Sequence, residues 1–270
     1  MPETSNPASA ASASNALLSV RGVSVRFGGI VALDNVSFEV NRGDICGLIG
    51  PNGAGKTTLF NCMSRLYQYQ SGDIVLEGRS LTDVPIHRIA ELGLGRTFQN
   101  LAMFQRMTVT DNVMVGAHAR SGAGFVASAL RLPSVGAEER RLRERASEII
   151  DYLGLRRFAN RLAGDLPFAT QKRVELGRAL AAEPKLLMLD EPAAGLNHEE
   201  LSALDDVIRD VRDRWRITIL LVEHHMSLVM NLSDHIVVLN FGRKIAEGTP
   251  QQIQNHPDVI EAYLGTGAHA

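Results

Sequence analysis

The sequence predicts an α/β domain with a mostly parallel sheet, an antiparallel β subdomain near the N-terminus and an inserted helical subdomain. Short apolar runs such as "ICGLIG", "KLLMLD" and "ITILLVE" have the length and composition of buried strands. Helical patterns lie between them, and strands alternating with helices build parallel sheets. A stretch beginning near residue 100 carries almost no strand signal, which marks it as the helical insertion.

The elements follow in order. "LLSVRGVSVRF" and "ALDNVSFEV" alternate apolar and polar residues about Gly28 and Gly29, the pattern of paired strands with one face covered. "ICGLIG" is a buried strand ending in glycine, and a helix is expected from Lys56 to about Leu66. "GDIVLEG" reads as a further strand. "TDNVMVGAHAR" looks helical with Thr110 as its cap, and "AEERRLRERASEIIDYLGL" is a charged amphipathic helix. The helix "TQKRVELGRALAA" extends the helical subdomain to about residue 182. Then come the strand "KLLMLD", the helix "HEELSALDDVIRDVRDRW", the strand "ITILLVE", the helical "HHMSLVMNLS", two strands in "HIVVLNFGRKIAEG" and a short helix from Pro257 to Leu264. The domain is thus placed at 17–264, between an Ala/Ser-rich disordered tail at 1–16 and a short tail at 265–270.

Composition narrows the class. The chain has 270 residues, 45% hydrophobic and 21% charged, ordinary values for a globular domain. A net charge of -2 argues against general nucleic-acid binding. No apolar run approaches the roughly 20 residues that a membrane-crossing helix needs. The first residues lack the charged start and apolar core of a signal peptide. Cys46 and Cys62 show no metal-type spacing and read as small packed residues of a reducing compartment.

"GPNGAGKTT", Gly50 to Thr58, fits the phosphate-loop pattern G-x-x-x-x-G-K-[ST] between a strand and a helix. Gly50, Gly53 and Gly55 let the backbone curl until its N–H groups face phosphate oxygens. The following helix turns its positive end to the same anion. Lys56 is expected on the β- and γ-phosphates and the Thr57 hydroxyl on Mg²⁺, with Asn52, Ala54 and Thr58 completing the loop around ATP. By itself the motif says only nucleotide. "LLMLDEP" ends a strand in two carboxylates: Asp190 suits organising Mg²⁺, and Glu191 suits polarising an attacking water.

Taken in order, these segments resemble the ATP-binding cassette family of transporter ATPases, a P-loop NTPase (RecA-like) fold, from about Leu17 to Leu264. The resemblance implies that Phe27 in "VRFGG" stacks on adenine. It implies that Gln99 in "GRTFQN" senses Mg²⁺ and a membrane subunit, and that His224 in "LLVEHH" contacts the γ-phosphate, with His225 an adjacent competitor. "AAGLN" matches the loop that crosses to a partner cassette. "RFGGIVAL", "GRTFQNLAMF", "MLDEPAAGLN" and "AEGTPQQIQNHPDVIEAYLG" resemble cassettes of branched-chain amino acid importers. The implied setting is the cytoplasmic face of the inner membrane, with two permeases, a second cassette and, indirectly, a substrate-binding protein. Another cargo (urea, other amino acids or amides, lipopolysaccharide export) and a regulatory cassette with little hydrolysis are the alternatives. The insertion "GAGFVASALRLPSVG" reads either as a permease contact or as subdomain core.

One motif departs from the family. Its signature, L-S-G-G-Q, aligns with Leu166-Pro167-Phe168-Ala169-Thr170. Pro167 brings neither a hydroxyl nor an N–H, and Phe168 and Ala169 add bulk where a backbone should approach phosphate. A homodimer would carry two weakened sites, so a heterodimer with an intact partner signature is expected.

Overall fold

The computed structural model describes residues 15–97, 103–118 and 133–264. The strands among them form two sheets. The first runs β2-β1-β4-β5, made of β1 (Ala16–Phe27), β2 (Ile30–Asn41), β4 (Ser71–Leu76) and the short β5 (Arg79–Ser80), antiparallel throughout. Strand β1 begins one residue before the expected start of the domain. The Asn15 carbonyl accepts from Arg42 N–H at 3.0 Å, and Ala16 already pairs with Asn41.

The second sheet runs β10-β9-β3-β8-β7-β6, with β3 (Ile45–Ile49), β6 (Leu94–Arg96), β7 (Leu186–Asp190), β8 (Thr218–Val222), β9 (His235–Asn240) and β10 (Arg243–Gly248). All its pairings are parallel except the β9–β10 hairpin. All five residues of β3, β7 and β8 are buried, as in strands covered on both faces. In β7, Leu186 and Met188 enter a core shared with the antiparallel sheet, whereas Leu187 and Leu189 enter the core beneath the helices. Each such side chain taken from water contributes about 1.5–3 kcal/mol.

Helix α1 (Lys56–Met63) stops three residues short of expectation, and Arg65 just beyond it adopts a left-handed φ of 60°. Helices α2 (Val109–His118), α3 (Pro133–Tyr152) and α4 (Phe168–Ala181) pack together on the face lined by Leu187 and Leu189. The cap of α2 is Thr108 rather than Thr110. The Thr108 hydroxyl accepts from Asp111 N–H at 3.1 Å, while the Thr110 hydroxyl donates to the Ala159 carbonyl. Helices α2 and α4 touch at two glycines. A Cβ on Gly116 would lie 1.9 Å from the Arg178 carbonyl oxygen, and one on Gly177 would crowd Val113 and Ile149.

Helix α5 (His198–Trp215) opens on a complete capping box between Asn197 and Glu200. Helices α6 (Met226–Leu232), α7 (Pro250–Gln254) and α8 (Pro257–Leu264) close a third cluster around Ile49, Val229, Ile236, Val238 and Ile253. Cys46 and Cys62 are free and buried, and burial pushes the Cys62 thiol up to about 11. None of the helices among the described residues is long and apolar enough to cross a membrane.

Candidate functional site: a nucleotide cleft

Parallel strands point their carboxyl ends the same way, and loops at that edge form the usual crevice of open α/β sheets. Register brings three such ends level. Asp190, last in β7, stands beside Val222, last in β8, and Val222 pairs with Leu48 just before the phosphate loop. An open cleft of about 540 Å³ results, lined by Asn52, Gly53, Ala54, Gly55, Lys56, Thr57, Thr58, Glu191 and His224, with Ile30, Val31 and Ala32 of β2 as its far wall.

The loop's curl needs its glycines. Gly50, Gly53 and Gly55 all have left-handed φ values, of 150°, 79° and 102°. A Cβ on Gly50 would sit 2.1 Å from the Leu239 carbonyl oxygen. Ala54 N–H bonds back to the Pro51 carbonyl, and the first amides of α1, which lack helical partners, open on the cleft. Lys56 is buried and folds inward, its Nζ donating to the carbonyls of Gly50 at 2.6 Å and Pro51 at 3.0 Å. Desolvation pulls its pKa below the ordinary lysine value, and the neighbouring Glu191 charge only partly opposes this.

Glu191 holds a left-handed backbone with φ 50°, uncommon without glycine. Its N–H donates to Val222 O at 2.9 Å and its carbonyl accepts from Ala194 N–H at 3.1 Å, which fixes the turn. The turn aims the carboxylate at His224, with Nε2 and Oε1 2.5 Å apart. His225 is the residue before α6 and does not line the cleft. Asp190 is buried, and its Oδ2 accepts from Arg96 at 2.8 Å. Arg96 also donates to Asn61 Oδ1 and Ser64 Oγ of the α1 segment, so one guanidinium ties the strand-end carboxylate to the phosphate-loop helix.

One expected residue stands apart from this cluster. Phe27 does not line the cleft: its half-exposed ring meets Tyr67 edge-on, with centroids 5.2 Å apart. Phe27 pairs in register with Ile30, which does line the cleft and is 72% exposed. Gln99 lies outside the described residues, as does most of the "GAGFVASALRLPSVG" stretch.

The sequence reading missed Arg96, Glu223 and the Ile30–Val31 wall. Arg96 and Glu223 carried a usable signal, since Arg96 ends β6 and Glu223 directly follows β8, each a charge at the end of an otherwise uncharged strand. Nothing in the pattern distinguished Ile30 and Val31 from ordinary strand residues.

At the altered signature, α4 begins at Phe168 directly after Pro167, which offers no side-chain cap. The Thr170 and Gln171 amides bond to the Pro167 carbonyl, and the Gln171 side chain donates to Leu166 O at 2.8 Å. The Phe168 ring lies over Gly195 in the loop after Glu191, where a Cβ would come within 3.0 Å of it.

A cradle of backbone amides, one inward lysine and a carboxylate–imidazole pair suit a nucleoside triphosphate, and the helical insertion makes this P-loop fold an ATP-binding cassette. The ABC transporter family model matches residues 33–194, and a second, branched-chain amino acid ATP-binding cassette transporter, matches 243–269. The chain is 44% identical to the high-affinity branched-chain amino acid transport ATP-binding protein BraF of Pseudomonas aeruginosa, across 93% of this chain and 99% of that one. It is 45% identical to LivG of Escherichia coli, a protein of the same description, with the same coverage. A nucleotide-free ATP-binding cassette from an ABC transporter superimposes with a TM-score of 0.79 at 32% identity, covering 92% of this chain and 98% of that one. The chain belongs to the ABC transporter family, as one of its ATP-binding, ATP-hydrolysing subunits.

Proposed function

We propose that this chain energises uptake of branched-chain amino acids through partner permeases, as a peripheral subunit at the cytoplasmic face of the membrane. The observation that carries the cargo is the match of the C-terminal segment 243–269 to the branched-chain cassettes. Near-full-length likeness to BraF and LivG supports it.

The chemistry follows from the cleft. Ile30 and Val31 offer an exposed apolar face in the cleft for the adenine, and Phe27, paired with Ile30, lies next to it along the sheet. The loop amides and Lys56 take the phosphates, Lys56 exchanging two backbone carbonyls for anionic oxygens. Thr57 and Asp190 would hold Mg²⁺, with Gln99 completing the set, and the ion would neutralise charge on the transferring phosphoryl group. The residues suit it. Thr57 lines the cleft and Asp190 ends the neighbouring strand, oxygen donors for a hard cation that takes most of its other ligands from phosphate and water. Glu191 orients the attacking water and accepts its proton, while His224, whose Nε2 meets that carboxylate, would turn this nitrogen to donate to the γ-phosphate.

The helical subdomain and the Gln99 segment pass closure on to a permease. A second cassette with an intact signature supplies what Leu166–Thr170 lack. Isolation of the chain from membranes tests the reading: recovery of two permeases and a second cassette is expected, with ATP turnover stimulated by a leucine-loaded binding protein. Recovery of urea or lipopolysaccharide machinery instead would overturn the cargo. In that complex, Glu191→Gln should cut phosphate release by about 10²–10⁴-fold while ATP still binds. Unchanged turnover would remove Glu191 from the chemistry.

A further inference from the structure

The cleft's two hydrolytic side chains sit on different segments: Glu191 after β7 and His224 after β8. A third acid stands outside the cleft's lining and bonds to both segments. Glu223 is 1% exposed, a carboxylate in the last place of an otherwise apolar run. Its Oε1 accepts from Ala193 N–H at 2.6 Å. Its Oε2 accepts from His224 N–H at 3.0 Å and from His225 N–H at 3.5 Å. Ala193 lies two residues past Glu191, in the loop that ends at the α5 cap. The contacts close a ring: Glu191 to His224 by side chains, His224 to Glu223 by backbone, Glu223 to Ala193, and Ala193 back to Glu191 along the chain.

We propose that Glu223 is a positioning residue that holds the Glu191 and His224 backbones in one rigid frame and carries displacement of the 193–197 loop to His224. The inference rests on the reading of Glu191 and His224 as the hydrolytic pair. A buried carboxylate is costly unless its oxygens are satisfied, and here both are satisfied by amides from the two loops. Charge-assisted bonds of this kind are short and strong, so the loops move together or the carboxylate loses a partner. A neutral amide cannot replace it. Glutamine has one accepting oxygen, and its NH₂ would face an N–H of one loop or the other.

The test is Glu223→Gln in the assembled transporter, alone and combined with His224→Ala, with kcat, ATP affinity and Tm measured for each. The expected result is a kcat loss of about 10- to 100-fold for Glu223→Gln, with ATP affinity within about twofold of the parent. In the His224→Ala background the same change should cost almost nothing further, because the pair it aligns is already gone. A full additive loss, or a parallel loss of ATP affinity and Tm, would overturn the positioning role and leave a structural one. If His224→Ala and Glu191→Gln both leave kcat unchanged, the hydrolytic pair itself is wrong and the inference falls with it. Should Glu223→Gln not fold, amide exchange in the unaltered complex decides. Joint protection of the Ala193 and His224 amides supports the frame, and exchange at Ala193 as fast as in open loops overturns it.

Discussion

Lys56 illustrates how one side chain serves two states. It caps carbonyls of its own loop, buried and with a lowered pKa. Phosphate would favour its charged form and raise that pKa again. ATP binding should therefore take up a proton at alkaline pH and weaken as pH rises through the lowered value. Titrating ATP affinity against pH should show this fall at a pH below the ordinary lysine range, and Lys56→Arg should abolish the dependence, because a guanidinium stays charged. Arg96 makes the complementary case. Replacing it by alanine leaves the Asp190 carboxylate buried without its partner, a loss of about 3–5 kcal/mol. Urea unfolding would measure the deficit, and saturating Mg²⁺ with nucleotide should narrow it by supplying another counter-charge near Asp190.

At the scale of elements, helix contacts depend on what is missing from a side chain. Gly116 lets α2 approach the α4 backbone until a single added carbon would overlap the Arg178 carbonyl. Gly116→Ala should therefore part the two helices and cost about 1–3 kcal/mol, visible as a lower Tm. The nucleotide cleft lies on other elements, so ATP affinity should change little. The same logic explains why helix positions were legible and their ends were not. The run "HEELSALDDVIRDVRDRW" is α5 residue for residue, because Asn197 and Glu200 form a local capping box. The start of α2 was misplaced by two residues, because Thr108 and Thr110 are chemically alike. Their partners, Asp111 beside one and Ala159 across a loop from the other, decide which of them caps.

For the whole molecule, the phosphate half of the site is complete while the signature half is altered. Pro167 lacks a donor, and the Phe168 ring covers Gly195 in the same chain. The purified chain alone should hydrolyse ATP slowly and without cooperativity. Mixing it with a partner cassette carrying an intact serine–glycine signature should restore turnover at the site holding Lys56 and Glu191. A phosphate-release assay across mixing ratios checks this, and brisk cooperative hydrolysis by the chain alone would contradict the heterodimer.

The sequence by itself determined the class of protein. A phosphate loop and an Asp–Glu strand end are local patterns whose chemistry follows from residue type and spacing, and the role of His224 followed from the resemblance to the family. Most of the strand and helix order was equally legible, because burial on both faces of β3, β7 and β8 writes itself as unbroken apolar runs, whereas the short β5, β6 and α7 left no such pattern. Only the tertiary structure decided how those patterns meet. Parallel register sets Asp190 level with Val222, and through it Glu191 against His224. Arg96 and Glu223 gained their roles from partners 94 and 30 residues away. A buried charge is defined by what neutralises it, and that neighbour is chosen by packing, which no local spacing records.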